Sequence, residues 1–138
     1  ESHICQHPDS GPGKLPVETS VYHAVARTSV VLAETVEATV MVAFSSSGNT
    51  ALRIARERPS IPFLVMTPNL HVQRRLGLLW GTRTAASAFS EDFESAITEA
   101  IEEIKHRDLA GRGQQIVVVA GMPFGIEGTT NSMRVVTL

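Results

Sequence analysis

The sequence predicts an α/β sandwich, in which helices cover both faces of a mostly parallel sheet of five strands. Helical and strand-like segments alternate along the chain, and the strand-like segments are short apolar runs, as expected for strands buried on both faces. The 138 residues suffice for one domain with its own core. Because hydrophobic residues make up 43% and charged residues 19% of the chain, the composition is that of a folded protein.

The chain is predicted to begin with a linker over residues 1–16, which hold three of the seven prolines. A helix is predicted next, over Val17–Ala38, with Thr19 or Ser20 as its N-cap. Apolar and small uncharged residues recur along this helix at steps of three and four and form one stripe: Val21, Ala24, Val25, Thr28, Val31, Leu32 and Thr35.

The middle of the chain alternates between buried strands and helices. The strands are rich in β-branched, aromatic or other apolar residues. Pro59 and Pro62 follow the helix that ends at Arg58. The predicted elements are, in order, a strand, a turn, a helix, a strand, a helix and a weaker strand: Thr39–Phe44, Ser45–Thr50, a helix ending at Arg58, Phe63–Thr67, Asn69–Leu79 and Thr82–Ser87.

The clearest helix has Ser90 as its predicted N-cap and apolar residues at helical spacing: Phe93, Ala96, Ile97, Ala100, Ile101 and Ile104. Acidic residues lie near its start and basic residues near its end, as the helix dipole favours. A strand over Ile116–Ala120, a loop over Gly121–Gly128 and a last strand over Met133–Thr137 complete the prediction.

The turn after the first strand is the main candidate site. In open α/β sheets, ligands bind beyond the carboxyl ends of the strands, where helix N-termini with unpaired N–H groups attract anions. Several hydroxyl side chains and a glycine precede the helix here and predict a phosphate-binding loop: Ser45, Ser46, Ser47, Gly48, Asn49 and Thr50. No Walker motif is present, so nucleotide hydrolysis is not indicated. The alternative, that Ser47 or Asn49 only caps the helix, stays open.

A second loop, Gly121–Asn131, follows the fourth strand and is expected at the same edge of the sheet. Its three glycines, including Gly125 and Gly128, suit a backbone that curves around a ligand. A plain reversal into an antiparallel last strand is the other interpretation.

Other classes of chemistry find little support in the sequence. The one cysteine, Cys5, cannot form an intramolecular disulfide, which favours a reducing, cytoplasmic location, and no metal-ligand spacing is present. No apolar run approaches the length of a membrane span, and the formal net charge of −2 does not suggest a nucleic-acid surface. Arg53 could reach an anion at the turn, whereas Arg74 and Arg75 are interpreted as a solvated face.

Five short sequences, taken in their order, resemble the C-terminal domain of pyruvate kinase: Phe44–Ala51, Ala55–Pro59, Ile61–Pro62 with Thr67–Asn69, Arg74–Leu76 with Leu79–Gly81, and Gly128–Val135. The resemblance covers the chain from about Val17 to Leu138. It implies a three-layer α/β/α domain, residues 17–138, with a five-stranded mixed sheet whose last strand is antiparallel. Residues 1–16 would then be the linker from a missing N-terminal catalytic portion.

The resemblance also implies a function without catalysis in this domain. In that family a separate (β/α)₈ barrel, with its magnesium and potassium ions, transfers phosphate from phosphoenolpyruvate to ADP in glycolysis. The C-terminal domain serves for regulation and for assembly into a homo-oligomer, a tetramer in the family, and the loop that matches Ser45–Thr50 holds a phosphorylated small-molecule effector. The C-terminal effector loop matches Gly121–Gly128.

One departure bears on the effector. Family members that bind fructose 1,6-bisphosphate hold its second phosphate with Trp and Arg in the stretch that matches Ala85–Ser95, and this sequence has neither residue there. A monophosphate, such as a sugar phosphate or AMP, or no effector at all, is therefore as consistent as the bisphosphate. Two alternative functions remain: a free-standing enzyme that binds a phosphorylated substrate, and an assembly domain without an effector.

Overall fold

Four helices and five strands alternate along the chain in a computed structural model that describes residues 21–78, 82–87, 92–121 and 132–138. The elements are α1 (Val21–Thr35), β1 (Val40–Phe44), α2 (Asn49–Arg56), β2 (Phe63–Thr67), α3 (Leu70–Leu76), β3 (Thr82–Ala86), α4 (Phe93–His106), β4 (Gln115–Ala120) and β5 (Ser132–Thr137). The predicted linker over residues 1–16, its boundary with the domain, and Gly125 and Gly128 lie outside the described residues.

The five strands form a single sheet in the order β3-β2-β1-β4-β5. The pairs β2–β3, β1–β2 and β1–β4 are parallel, and β5 runs antiparallel to β4. The mixed sheet with an antiparallel last strand is thus confirmed. The strand order places β1 in the centre, because the chain builds outward through β2 and β3 and then returns to the other side of β1 with β4.

The sheet is covered on both faces, as its apolar strands require. Every residue of β1 and β2 is buried, and alternate side chains point to opposite faces. In β1, Met41 and Ala43 pack in the core under α1, α2 and α3, while Val40, Val42 and Phe44 pack in the core under α4. Three helices therefore lie on one face and α4 lies on the other.

Helix α1 packs on the sheet with a different side from the stripe seen in the sequence. Its buried residues are Ala26, Ser29, Val30 and Ala33, and the hydroxyl of Ser29 donates to the carbonyl oxygen of Ala26 at 2.7 Å. The small side chains allow the helix to lie close to α2 and β4. Most of the predicted stripe faces solvent instead, with Val21 at 65% and Val31 at 56% exposure.

Several helix ends differ from the predicted ones. Helix α1 ends at Thr35 rather than Ala38, and α2 ends at Arg56, with Glu57 as its C-cap. The N-cap of α4 is Asp92 rather than Ser90, because the Asp92 carboxylate accepts the Ser95 N–H at 2.7 Å. Bonds from the Ser95 backbone N–H and side chain hold the pKa of Asp92 below its ordinary value.

Helix α3 is shorter than predicted and covers Leu70–Leu76. Asn69 is its N-cap, since its side-chain oxygen accepts from the N–H groups of His71 and Val72 at 2.9 and 3.3 Å. The Thr67 hydroxyl accepts in turn from the Asn69 N–H at 3.2 Å. These bonds fix the direction in which α3 leaves the end of β2.

Candidate functional site

The Ser45–Thr50 loop lies where the order of the strands reverses. Strands β2 and β3 lie on one side of β1, whereas β4 and β5 lie on the other. Phe44 at the end of β1 pairs with Ala120 at the end of β4, so Ser45 and Gly121 leave the sheet side by side. In open α/β sheets this position is where ligands bind, because the two loops diverge and leave a crevice. The rest of the second loop, residues 122–131, lies outside the described part of the chain.

The loop forms a tight turn held by its own serines. Ser45 is buried, its N–H donates to the carbonyl oxygen of Met66 at 3.1 Å, and its hydroxyl oxygen accepts the N–H of Gly48 at 2.9 Å. The hydroxyl oxygen of Ser47 accepts the N–H of Asn49 at 3.3 Å. Capping of this kind uses the acceptor capacity of the hydroxyls and leaves their O–H groups able to donate. The capping and phosphate-binding interpretations are therefore compatible in this geometry.

Gly48 is the N-cap of α2 and has a left-handed backbone, with φ of 95°. A Cβ atom at this position would lie 3.1 Å from Nη2 of Arg75 and 3.4 Å from Cγ1 of Val72. The backbone conformation therefore favours glycine here, and a Cβ atom would press on the Arg75 guanidinium group. No side chain of Gly48 can cap the helix, and the first turn of α2 has no acidic residue, so an anion would meet no carboxylate from that turn.

A cation from another element reaches the loop. Nη2 of Arg75, in the last turn of α3, donates to the carbonyl oxygen of Ser47 at 2.8 Å. Arg75 is exposed, as the predicted solvated face requires, but its contact with the loop was not predicted from the sequence. The only local signal was the Arg74–Arg75 pair itself, because a bond between residues 28 positions apart depends on the tertiary fold.

Arg53, the other cation considered for the loop, has a different role. Its guanidinium carbon lies 5.4 Å from the centre of the Tyr22 ring, so it stacks on α1. This contact ties α2 to α1, two helices that also pack against each other on the same face of the sheet. Arg75 is thus an arginine with a direct hydrogen bond to the loop, and Arg53 contacts the ring of Tyr22.

Other polar residues at the same sheet edge are engaged in the fold. The carbonyl oxygen of Thr67 accepts the Ser87 N–H at 3.0 Å, and the Ser87 hydroxyl donates to Oε1 of Glu99 at 2.9 Å. These bonds connect the ends of β2 and β3 to α4. Beside these bonded residues, Ser46, Ser47 and Asn49 remain partly or fully exposed.

A cavity of about 350 Å³ lies away from this loop, at the amino ends of β2 and β3. It is lined by residues that follow α2 and by the first residues of β2 and β3, such as Ser60, Phe63 and Thr82. Across the described ranges, no three His, Cys, Asp or Glu side chains come together as a possible metal site.

Comparison with known proteins decides between the families that share such a sheet. The family model described as pyruvate kinase, alpha/beta domain, matches residues 23–136, which is most of the chain. The chain belongs to the pyruvate kinase alpha/beta domain family. The expectation from the sequence resemblance is thereby confirmed.

Individual relatives agree with the family. A pyruvate kinase of Agrobacterium vitis is 39% identical over 122 residues, which cover 88% of this chain and 25% of that protein. A pyruvate kinase of Corynebacterium glutamicum is 38% identical over 104 residues, covering 75% of this chain and 22% of that protein. One of Staphylococcus haemolyticus is 30% identical over 118 residues, covering 86% and 20%.

The chain thus spans a quarter or less of the length of these curated pyruvate kinases. What it shares with them is the alpha/beta domain. In the part of the chain that the structure describes, no helix is long and apolar enough to cross a membrane.

Proposed function

We propose that this pyruvate kinase alpha/beta domain is a regulatory and oligomerisation domain that binds a phosphorylated small molecule at the Ser45–Thr50 loop. The phosphoryl transfer from phosphoenolpyruvate to ADP, with its magnesium and potassium ions, would belong to the catalytic part of a cytoplasmic pyruvate kinase. The domain would influence that chemistry through the arrangement of domains and subunits, since an effector acts by favouring one of two states.

One observation carries the phosphate-binding proposal. The N-terminus of α2, with Gly48 as its N-cap, and the guanidinium group of Arg75 come together where the strand order of the sheet reverses. Gly48, the N-cap of α2, has no side chain that could occupy the helix N-terminus, and Arg75 lies within hydrogen-bonding distance of the loop. Backbone N–H groups, serine O–H groups and a guanidinium group are the donors that phosphate oxygens accept. The same donors in the loop suit a carboxylate less well, because a phosphate has more acceptor oxygens.

The described residues support one phosphate group rather than two. The loop and Arg75 form one cluster of donors, and the stretch from Ala85 to Ser95 contains no Trp or Arg for a second phosphate. A monophosphate, such as a sugar phosphate or AMP, is therefore the preferred ligand class. Gly125 and Gly128 are proposed as further ligand-binding residues, because glycine allows close approach of the backbone to a ligand.

Assembly is supported by the outer surface of α1. The helix exposes a stripe without charge at steps of three and four: Val21, Ala24, Thr28, Val31 and Thr35. Small and apolar side chains at this spacing allow two helices to approach closely. A second copy of the domain, packed through the same helix, would form the symmetric contact that homo-oligomers commonly use.

The effector proposal is tested by thermal denaturation with inorganic phosphate, ribose 5-phosphate, glucose 6-phosphate, AMP and fructose 1,6-bisphosphate. A ligand at 100 times its dissociation constant should add about 2.7 kcal/mol to the free energy of unfolding. Ser47→Asp places a carboxylate where the phosphate would bind, so it should abolish the shift without lowering stability, since an acidic residue is favourable at a helix N-terminus.

Ser46→Ala separates binding from capping. Ser46 makes no side-chain hydrogen bond within the described residues, so its loss should leave stability unchanged while it weakens phosphate binding. Ser45→Ala should lower the stability itself, because it removes the acceptor for the Gly48 N–H. Absence of a shift with every compound would leave an assembly domain whose serines only cap α2.

A further inference from the structure

The cavity at the amino ends of β2 and β3 is separate from the Ser45–Thr50 loop. It lies between the end of α2, the connection to β2 and the start of β3, and its volume of about 350 Å³ is in the range of small-molecule sites. Phe63 and Thr82, which line it, pair with each other as the first residues of β2 and β3. The loop Ser45–Thr50 follows the carboxyl end of β1, so the length of the strands separates the two places.

Two arginines line this cavity, and both are exposed: Arg58 and Arg83. Neither has an ion pair or hydrogen-bonded carboxylate among the described residues. Glu57, next to Arg58, faces α1, with its carboxylate oxygens 3.9 Å from Nε2 of His23 and 3.7 Å from Nε of Arg27. The cavity therefore presents two positive charges without a neutralising carboxylate from these neighbours.

A carboxylate at the rim, that of Glu34, contacts the lining residue Ser60 and bonds to neither arginine among the described residues. Oε2 of Glu34 accepts from the N–H of Ser60 at 3.3 Å and from its hydroxyl at 3.2 Å. This pair fixes the connection between α2 and β2 at the rim. It leaves the guanidinium groups of Arg58 and Arg83 to interact with solvent or with a bound molecule.

As Glu37 does after α1 and Asp108 after α4, Arg58 has a left-handed backbone directly after the C-cap of α2. Its φ is 50°, a left-handed conformation that costs an arginine more than glycine or asparagine. The chain nevertheless carries arginine here, directly before Pro59, at the mouth of a cavity. The end of α2 accounts for this conformation, which places Arg58 at the mouth of the cavity.

Apart from Ser60 and Thr82, the remaining residues that line the cavity are apolar. Pro59, Ile61, Pro62 and Phe63 line it next to the arginines, and Phe63 is buried while the others are partly or fully exposed. Apolar walls with a few charged groups are the usual composition of a small-molecule site, because the walls supply affinity and the charges fix orientation. We propose that this cavity binds a small anion, a carboxylate or phosphate carried on an apolar group, through Arg58 and Arg83.

The test follows backbone amide chemical shifts of the whole chain during titration with four probes. Benzoate and phenyl phosphate carry an anion on an apolar ring, benzyl alcohol has the ring without the charge, and inorganic phosphate has the charge without the ring. Saturable shifts at Ser60, Phe63 and Thr82 are expected with benzoate or phenyl phosphate. The two matched probes should bind there at least about tenfold more weakly, because each lacks one of the two contacts.

Variants show whether the arginines recognise the anion. Arg58→Asn removes the charge and tolerates a left-handed backbone, and Arg83→Gln removes the other charge, so the double variant should fold. It should bind the anionic probe at least about tenfold more weakly. Arg112→Gln removes an equally exposed arginine beyond α4 and should leave the affinity unchanged.

Three results of the probe titrations would overturn this proposal: equal binding of benzyl alcohol, unchanged affinity in the double variant, or no shift at these amides with any probe. Shifts at these amides with protein concentration alone would also overturn it and indicate that a second copy covers the cavity. Inorganic phosphate reports on the Ser45–Thr50 amides in the same titration. The same titration thus tests phosphate binding at Ser45–Thr50 separately from anion binding in the cavity.

Discussion

Arg75 donates a hydrogen bond from Nη2 to the main-chain carbonyl oxygen of Ser47, at a distance of 2.8 Å. The bond joins the last turn of α3 to the turn that precedes α2, although the two residues are 28 positions apart. A guanidinium group has five N–H donors in a rigid plane. Arg75 can therefore hold the loop in position and still donate to an anion bound beside Ser47.

Replacement of Arg75 by alanine should weaken phosphate binding far more than it weakens the fold. The hydrogen bond is exposed, so its loss should lower the free energy of unfolding by about 1 kcal/mol or less. Loss of a charge-assisted contact to phosphate should reduce the affinity about tenfold. The increase in melting temperature that phosphate or ribose 5-phosphate produces measures the second effect, and urea denaturation without ligand measures the first.

Arg74→Ala is the matched control, because Arg74 is exposed in the same helix turn and makes no contact of its own with the loop among the described residues. Arg74→Ala should leave both the phosphate affinity and the free energy of unfolding nearly unchanged. Equal loss of binding in the two variants would mean that only the general positive charge of α3 matters. The specific role assigned to Arg75 would then be wrong.

The sequence alone could predict the alternation of helices and strands, because each element has a local pattern. The buried runs of β1, β2 and β4 are continuous and apolar, and the spacing in α4 is regular. The loop Ser45–Thr50 could be predicted for the same reason, since a hydroxyl-rich turn stands directly between a strand and a helix. The antiparallel last strand was implied by the family resemblance and has no unique local pattern.

Two features could not be read from local patterns. The contact of Arg75 with Ser47 depends on how α3 packs beside α2, which no spacing along the chain encodes. In α1, both sides of the helix are uncharged, so hydrophobic spacing alone could not tell which side faces the sheet. The side with small residues, Ala26 and Ala33, is buried because it fits closest to the neighbouring elements.

Gly48→Ala should destabilise the domain more than the same change at another left-handed glycine. Both Gly48, with φ of 95°, and Gly113, with φ of 85°, have a backbone that costs alanine about 1–2 kcal/mol. A Cβ at Gly48 also meets Nη2 of Arg75 at 3.1 Å, whereas a Cβ at Gly113 meets nothing within 4 Å.

Urea denaturation of the two alanine variants isolates the crowding at the loop. The Gly113 variant gives the cost of the backbone alone, and any further loss in the Gly48 variant reports the displacement of Arg75. We expect the Gly48 variant also to lose phosphate affinity, since its added methyl group pushes on the guanidinium. Equal stability of the two variants would contradict the close packing described for this turn.

Asp92 should make the stability of the domain depend on pH in the acidic range. Its pKa is lowered from 3.8 by bonds from the Ser95 backbone N–H and side chain, so the folded state favours the ionised carboxylate. The contribution is fully present above the ordinary Asp pKa and is lost as pH falls through the lower value in the folded state. Asp92→Ala should therefore be less stable than wild type at neutral pH, and the difference should shrink on acidification.

Melting temperatures of wild type and Asp92→Ala between pH 7 and pH 2 test this dependence. Glu102→Ala is a suitable control, because Glu102 is exposed within α4 and its carboxylate caps no helix end. A constant difference between wild type and Asp92→Ala across the range would show that charge is not involved in the cap.

Val31→Lys should separate the subunits if α1 forms the proposed contact between copies. Val31 is 56% exposed in the middle of the uncharged stripe, and a lysine there would place two like charges near each other across a symmetric helix pair. Lysine is a good helix former and the site is exposed, so the free energy of unfolding of the monomer should change by about 0.5 kcal/mol or less. Sedimentation velocity at micromolar concentration should show a dimer or larger species for wild type and a monomer for the variant.

Leu70→Lys is the matched control for this experiment. Leu70 is 54% exposed and lies at the start of α3, so the same change removes a similar apolar surface from a different helix. It should leave the wild-type oligomer intact. If wild type itself sediments as a monomer, the stripe on α1 does not hold copies of this chain together at micromolar concentration. If Leu70→Lys rather than Val31→Lys dissociates the oligomer, the contact lies on α3, beside the effector loop, and ligand binding and assembly would then share one surface.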